Sequence, residues 1–249
     1  MASFWHVTPA FKNTLAAEVF SSLETTFGAR GESITASPIN RVIKLQAAGR
    51  AFYVKTYTAG GKKLKRWFGR SRVQAEWENL LFFERLGIPV PPVVAYGRNT
   101  RWGMFQKGAL VTAAVPHSRD LASLHADNHP LLADRQWVSA VSRQVARHTR
   151  RLHRERFNHV DLKWRNILVT TTGTPCVFFI DCPAGRIRPG PAAARGFIKD
   201  LACLDKVAKI RLSRAQRLRF YLDYRELERL DPVDKRRIRR ILDFFKGRE

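Results

Sequence analysis

The chain has 249 residues, 45% of them hydrophobic, enough to bury one sizeable core or two small lobes sharing a cleft, which excludes an intrinsically disordered protein. Lys and Arg number 45 against 21 Asp and Glu, a formal net charge of +24, so the field is strongly positive and selects polyanionic partners: nucleic acid, an anionic membrane surface or a phosphorylated substrate. Three cysteines, Cys176, Cys182 and Cys203, have neither metal-ligand spacing nor the density of a disulfide scaffold, and point to a reducing cytosol. The opening MASFWHVTPAFKNTLAAEVF lacks a basic lead followed by a continuous apolar core, and no stretch approaches the ~20 apolar residues that span a bilayer, so neither export nor a membrane span is expected.

In chain order, RVIKLQAAGRAFYVKTY (41–57) reads as a hairpin around a Gly-containing turn, with Lys55 on its second strand. A basic connector, TAGGKKLKRWFGRSR, leads into VQAEWENLLFFERLG, whose helical spacing stops at Gly87 before IPVPP. VVAYGR and WGMFQKGALVTAAV read as strands that close a sheet-plus-helix lobe near residue 115, and VPHSRD is a candidate hinge. The second half begins with a long helix in LLADRQWVSAVSRQVARHTRRLHRERF: Val138, Val141, Val145 and Leu152 recur at helical intervals, and Arg143, Arg147, Arg150 and Arg154 line another face. NILVTTTG and PCVFFIDC are two apolar strands joined by a turn at Gly173, and a last helical region runs from about FIKDLACLDKVAKI to the C-terminus.

Between the long helix and the first of those strands stands HVDLKWRNILV (159–169), and the second strand delivers Asp181 after it. Phosphoryl transfer needs one carboxylate to orient and deprotonate a hydroxyl. It also needs an oxygen ligand and a second carboxylate for magnesium, and a lysine for the nucleotide phosphates. Lys55, Asp161, Asn166 and Asp181 occur in the order a kinase requires.

HVDLKWRNILV resembles the catalytic loop of protein-kinase-like enzymes, with Val160 where most have arginine; AFYVKTY resembles the strand bearing the ATP lysine, and CVFFIDC the strand ending in the metal-binding aspartate. More narrowly, RSRVQAEWENLLFFERLGIPVPPVVAYG, the DLACLDK segment and the final helices are similar to the lipopolysaccharide core kinase family, small bacterial kinases that phosphorylate heptose or Kdo sugars of the inner core; the resemblance covers about residues 35–230. It implies an α+β, bilobal protein-kinase-like fold, with a small sheet-rich nucleotide-binding N-lobe over 1–115 and a helical catalytic and acceptor-binding C-lobe over 116–249. It also implies an ATP- and Mg2+-dependent phosphotransferase in which Asp161 is the base and Lys163 faces the transferred phosphate. In the same pattern Asn166 and Asp181 hold the metal, Lys55 holds the nucleotide, and Glu76, in preference to Glu78, pairs with Lys55. His159 is expected to be structural, its ring bonded to backbone.

The sequence departs from that pattern at two places. GARGESITASPIN stands where a GxGxxG loop is usual, so phosphate cradling must use other backbone amides, and CPAG replaces the Phe-Gly that follows the metal aspartate. The short chain favours a small-molecule or glycolipid acceptor over a protein.

Three function classes follow: a kinase of a lipopolysaccharide inner-core sugar, a kinase of another small molecule or protein, and a non-catalytic kinase-fold binder of anionic surfaces. The basic charge suits the first and repels polycations such as aminoglycosides. The expected partners are the lipopolysaccharide core acceptor and the anionic inner face of the inner membrane, bound peripherally from the cytoplasm, with no nucleic acid. DPVDKRRIRRILDFFKGRE, a basic amphipathic segment, either packs its apolar face on the core or meets that surface, its arginines outward in both cases.

Overall fold

The computed structural model describes residues 2–60 and 69–247; the middle of the basic connector expected after the first hairpin lies outside the described residues. The chain divides into two compact units, Met1–Phe82 with Val90–Val115, and Phe83–Pro89 with Pro116–Glu249.

The first unit carries β1 (Ala2–Val7), β2 (Glu32–Ser37), β3 (Asn40–Ala47), β4 (Arg50–Tyr57), β5 (Val93–Arg101) and β6 (Met104–Ala113), an antiparallel sheet in the order β1-β5-β6-β4-β3-β2. Helices α1 (Leu15–Val19) and α2 (Leu23–Gly28) follow β1, and α3 (Arg72–Arg85) follows β4. Alternation along β4 sends Phe52 and Val54 into a core with Phe11, Phe20, Ile43, Leu45 and Val111. The same alternation puts Lys55 and Tyr57 together on the opposite face. Ala48 and Gly49, both at positive φ, make the two-residue turn that sets the β3–β4 register of Ala47 on Arg50.

Helix α3 turns Val73, Leu80 and Phe83 inward at helical intervals, with Glu76 on the same stripe. It stops where glycine permits: Gly87 sits at φ 66, its N–H donating to Glu84 O at 2.9 Å while the Ile88 N–H reaches Phe83 O at 2.9 Å.

The second unit is mainly helical. In chain order it holds β7 (Ser118–Asp120), α4 (Leu121–Ala126), α5 (Arg135–Arg154), β8 (Phe157–Asn158), β9 (Ile167–Thr170), β10 (Val177–Phe179), β11 (Arg186–Ile187), α6 (Gly190–Arg211), α7 (Arg214–Arg225) and α8 (Pro232–Leu242). The strands form a β10-β9-β7 sheet and a β11-β8 pair. Asp134 caps α5 by accepting from Gln136 N at 2.8 Å and Trp137 N at 3.1 Å. Val138, Val141, Val145 and Leu152 are buried beneath it; Arg143, Arg147 and Arg154 are exposed, whereas Arg150 turns to Tyr224 O at 3.0 Å and Glu226 at 2.6 Å.

The C-terminal helical region is three helices, because two caps interrupt it: Ser213 with Gln216 forms a capping box, and Asp231 precedes Pro232. Asp234 on α8 is 1% exposed and accepts from Tyr221 Oη at 2.7 Å, Arg225 Nε at 3.0 Å and an Arg237 guanidinium nitrogen at 3.3 Å. Arg237 is thus turned inward, while Arg236, Arg239 and Arg240 stay exposed. Among the described residues no helix is long and apolar enough to cross a membrane.

His148, on α5, lies edge-on to Phe179 with neither ring nitrogen hydrogen-bonded among the described residues. Burial, helped by the nearby Arg151 and Arg147 charges, pushes its pKa from 6.5 down to about 4. The unfolded chain therefore takes up this proton first as pH falls, and stability present above about pH 6.5 is lost toward about pH 4, by at most about 3 kcal/mol. His148→Leu is expected to flatten that acid limb without lowering stability at neutral pH. Urea midpoints measured between neutrality and about pH 5 check it; an equally steep limb in the variant would assign the loss to other groups.

Candidate active site

In the first unit the shared face of β4 decides the geometry. Lys55 Nζ donates to Glu76 Oε1 at 2.9 Å, and the Tyr57 hydroxyl donates a short hydrogen bond to the other oxygen, Glu76 Oε2. The Lys55 ammonium also lies 5.6 Å from the Tyr57 ring centroid. Glu76 is 3% exposed and Tyr57 fully buried, so both carboxylate oxygens are engaged away from water. Burial raises the Tyr57 pKa well above its usual value and the Glu76 charge adds to this, so the phenol stays a donor. Glu78 faces outward, bonded to Arg70 at 3.0 Å and Gln74 at 2.7 Å.

In the second unit Asp161, Lys163 and Asn166 come together. The Asp161 carboxylate takes Lys163 Nζ at 2.6 Å on Oδ1 and Arg165 at 3.1 Å on Oδ2. Asn166 Nδ2 donates to Asp161 O at 2.8 Å, a tie that folds the loop back and leaves the amide oxygen directed away from it. Partial burial alone would raise the Asp161 pKa, but the hydrogen bonds and charges of Lys163 and Arg165 outweigh it and hold the carboxyl below its ordinary value.

Asp181 enters from the neighbouring strand. Pairing of Phe179 with Ile167 places Ile180 beside Asn166, the Ile180 N–H donating to Asn166 O at 3.1 Å, and Asp181 follows at φ 54. An amide oxygen and a carboxylate at the end of one hairpin are hard oxygen donors of the kind magnesium takes.

The loop rests on Asp200, to which sequence reasoning assigned no role. This carboxylate is fully buried in α6 and accepts the His159 N–H and the Val160 N–H, both at 2.8 Å; His153 Nε2 lies 3.3 Å from it. Val160 is at φ 74, a costly conformation for a β-branched residue that persists because Asp200 holds the two successive amides that precede its α-carbon, those of His159 and Val160. Gly196, one turn earlier on α6, lies where a Cβ would strike the Asn158 side chain, so α6 can approach the loop closely. A lone acid within the apolar run FIKDLACL was the available signal.

His159 differs from expectation. Its backbone N–H does the bonding, while its ring packs near Phe83 and Phe179 with neither nitrogen hydrogen-bonded among the described residues. Burial lowers its pKa, so the ring is a neutral aromatic filler. Cys203 behaves as a core residue, its thiol pushed up to about 11 by burial.

A cavity of about 500 Å³ also opens in the second unit, walled by Val138, Val141, Leu201, Leu204 and Ile238. Its wall is mainly apolar, and Arg217, which also lines it, is paired with Asp205 at 2.7 Å. Trp164 of the loop lines it too, donating from Nε1 to Leu204 O at 3.0 Å.

A sheet unit with a buried lysine–glutamate pair, and a helical unit with a carboxylate–lysine–asparagine loop ahead of two strands, make up a protein-kinase-like fold. The solved structure of WaaP in complex with acyl carrier protein is similar in fold, with a TM-score of 0.72 at 21% identity over 98% of this chain and 96% of that one. The model of the lipopolysaccharide kinase (Kdo/WaaP) family matches residues 20–224, and the chain belongs to that family. It is 28% identical over 132 residues to 3-deoxy-D-manno-octulosonic acid kinase of Vibrio cholerae serotype O1, a match covering 53% of this chain and 52% of that protein. The matched region thus spans about half the length of that curated relative.

Proposed function

We propose that the protein transfers the γ-phosphoryl group of ATP to a sugar hydroxyl, heptose or Kdo, of the lipopolysaccharide inner core. The observation that carries this reading is the Asp161–Lys163–Asn166 cluster held on Asp200, in a chain of the lipopolysaccharide kinase family. Asp161 accepts the proton of the acceptor hydroxyl as its oxygen bonds to the γ-phosphorus and the bond from that phosphorus to the bridging oxygen of ADP breaks. Lys163, paired with Asp161 at 2.6 Å, turns to the transferred phosphate when the substrates arrive and frees the carboxylate oxygen for the hydroxyl. Lys55 takes the nucleotide phosphates and Glu76 orients it. Asn166 and Asp181 are the residues that would hold magnesium, which when bound neutralises phosphate charge. The acceptor is carried at the inner face of an anionic membrane, which the net charge of +24 and the exposed Arg236, Arg239 and Arg240 favour.

The direct test incubates the protein with ATP, magnesium and dephosphorylated core lipopolysaccharide and locates added phosphate by mass spectrometry. ATP consumption without phosphate on a core sugar would overturn the acceptor assignment. A further expectation concerns the metal: Asn166→Ala and Asp181→Ala each remove one hard oxygen donor and should raise the magnesium concentration needed for half-maximal turnover by about tenfold or more. Titration at saturating ATP measures this; an unchanged midpoint in both variants would remove the two residues from the metal site.

A further inference from the structure

The turn between β5 and β6 joins Arg101 to Met104 through two residues, Trp102 and Gly103, both at positive φ, 50 and 76. Two-residue hairpin turns of this hand favour Asn, Asp or Gly at the first position, because other side chains are strained there. The comparable β3–β4 turn uses the small Ala48. Here an indole occupies the strained position, and it is 80% exposed although tryptophan is normally well buried. Neither backbone preference nor packing accounts for it.

The surroundings of the tip are cationic. The Arg101 guanidinium lies over the Trp102 ring, 4.5 Å from its centroid. Residues 93–113 include Arg98, Arg101 and Lys107 and no carboxylate. Lys107 pairs with Glu24 at 3.3 Å, but among the described residues neither Arg98 nor Arg101 forms an ion pair. Across the β1–β5 pairing, Phe4 stands opposite Arg98 and is 48% exposed.

We propose that the β5–β6 turn is an interfacial anchor: Trp102 enters the headgroup layer of an anionic bilayer, and Arg101 and Arg98 meet its lipid phosphates. Tryptophan belongs at that depth, where an amphipathic ring has an apolar body and a polar edge to satisfy, and arginines are drawn to an anionic surface. Tryptophan and arginine also suit protein interfaces, but a tip with two arginines that form no ion pair among the described residues, in a chain of net charge +24, complements a polyanionic surface best. The proposal deepens the membrane-borne acceptor reading and rests on it.

Trp102→Asn separates anchor from scaffold, because asparagine is favoured in this turn and relieves its strain. Flotation with phosphatidylglycerol-containing and with pure phosphatidylcholine vesicles is the test, alongside thermal unfolding. Wild type is expected to float with the anionic vesicles, and Trp102→Asn to bind them about tenfold more weakly with an equal or higher melting temperature. Arg101→Gln should weaken only the anionic binding, and brominated lipids should quench wild-type fluorescence more than that of Trp102→Asn.

Several results would overturn the anchor. Trp102→Asn floating like wild type is one, and binding lost by Arg236, Arg239 and Arg240→Gln alone leaves the peripheral reading standing without it. A melting temperature several degrees lower in Trp102→Asn would make the indole structural. Unchanged flotation with loss of a protein complex would assign the tip to a protein partner. Wild type that ignores anionic vesicles yet phosphorylates soluble core oligosaccharide would end the membrane reading too, while the kinase reading survives.

Discussion

Asp161→Asn is expected to fold like the wild type and to turn over about 100- to 10,000-fold more slowly, the range a positioned general base contributes. The amide fills the same volume and can still accept from Arg165, so the loop geometry set by Asn166 and Asp200 persists. It cannot take the proton of the acceptor hydroxyl. Because Lys163 and Arg165 keep the wild-type carboxyl below its ordinary pKa despite its partial burial, Asp161 remains ionised as pH falls through the weakly acid range. The part of an acid limb in wild-type kcat/KM that Asp161 sets should therefore lie below the usual carboxylate range. Turnover at saturating ATP, with circular dichroism as the folding control, decides the matter. Near wild-type rates in the variant would remove Asp161 from the proton transfer.

Asp200→Ala is expected to cost about 3–5 kcal/mol of stability, because it orphans two buried backbone N–H groups and leaves His153 without its carboxylate. Val160 then has nothing to maintain its left-handed backbone, and the loop carrying Asp161 relaxes. Asp200→Asn is the more informative variant: its one carboxamide oxygen can serve one of the two N–H groups, while its NH2 opposes the other. It should remain folded with kcat lowered more than KM is changed, the signature of a mispositioned loop. Urea denaturation and steady-state kinetics together test this. A loss under about 1 kcal/mol with normal turnover would mean that the loop does not depend on α6.

That Asp161, Lys163 and Asn166 come together was legible because they are nearly consecutive in one loop. The β3–β4 hairpin and the end of α3 were legible for a similar reason: Gly49 and Gly87 are local signals, read without knowing what packs against them. The preference for Glu76 over Glu78 comes from the family resemblance; the structure adds a local reason, since Glu76 alone shares the stripe of Val73, Leu80 and Phe83. What stayed hidden depends on distant partners. β1 becomes a strand by pairing with β5, Ala2 against Thr100, and its short segment has no period of its own strong enough to announce this. β8 and β11 are two residues each and exist only because the loop brings them together. Asp200 lies 39 residues after Asp161 on a helix whose buried face is set by tertiary contact, so spacing could not connect them. The Ser213 and Gln216 capping box was in plain view, and a closer reading of helix starts would have divided the C-terminal region there.

The double grip on Glu76 bears on how such a protein could be controlled. Kinases that are toggled by swinging a helix do so by parting the lysine from the glutamate. Here parting Lys55 from Glu76 would strand a buried carboxylate beside a single phenol, Tyr57, in a pocket closed to water. A penalty of about 3 kcal/mol would already keep the released form near 1% of molecules or below. Under the proposed function, such a pair is set as soon as the chain folds, and turnover is then expected to follow the supply of acceptor and nucleotide.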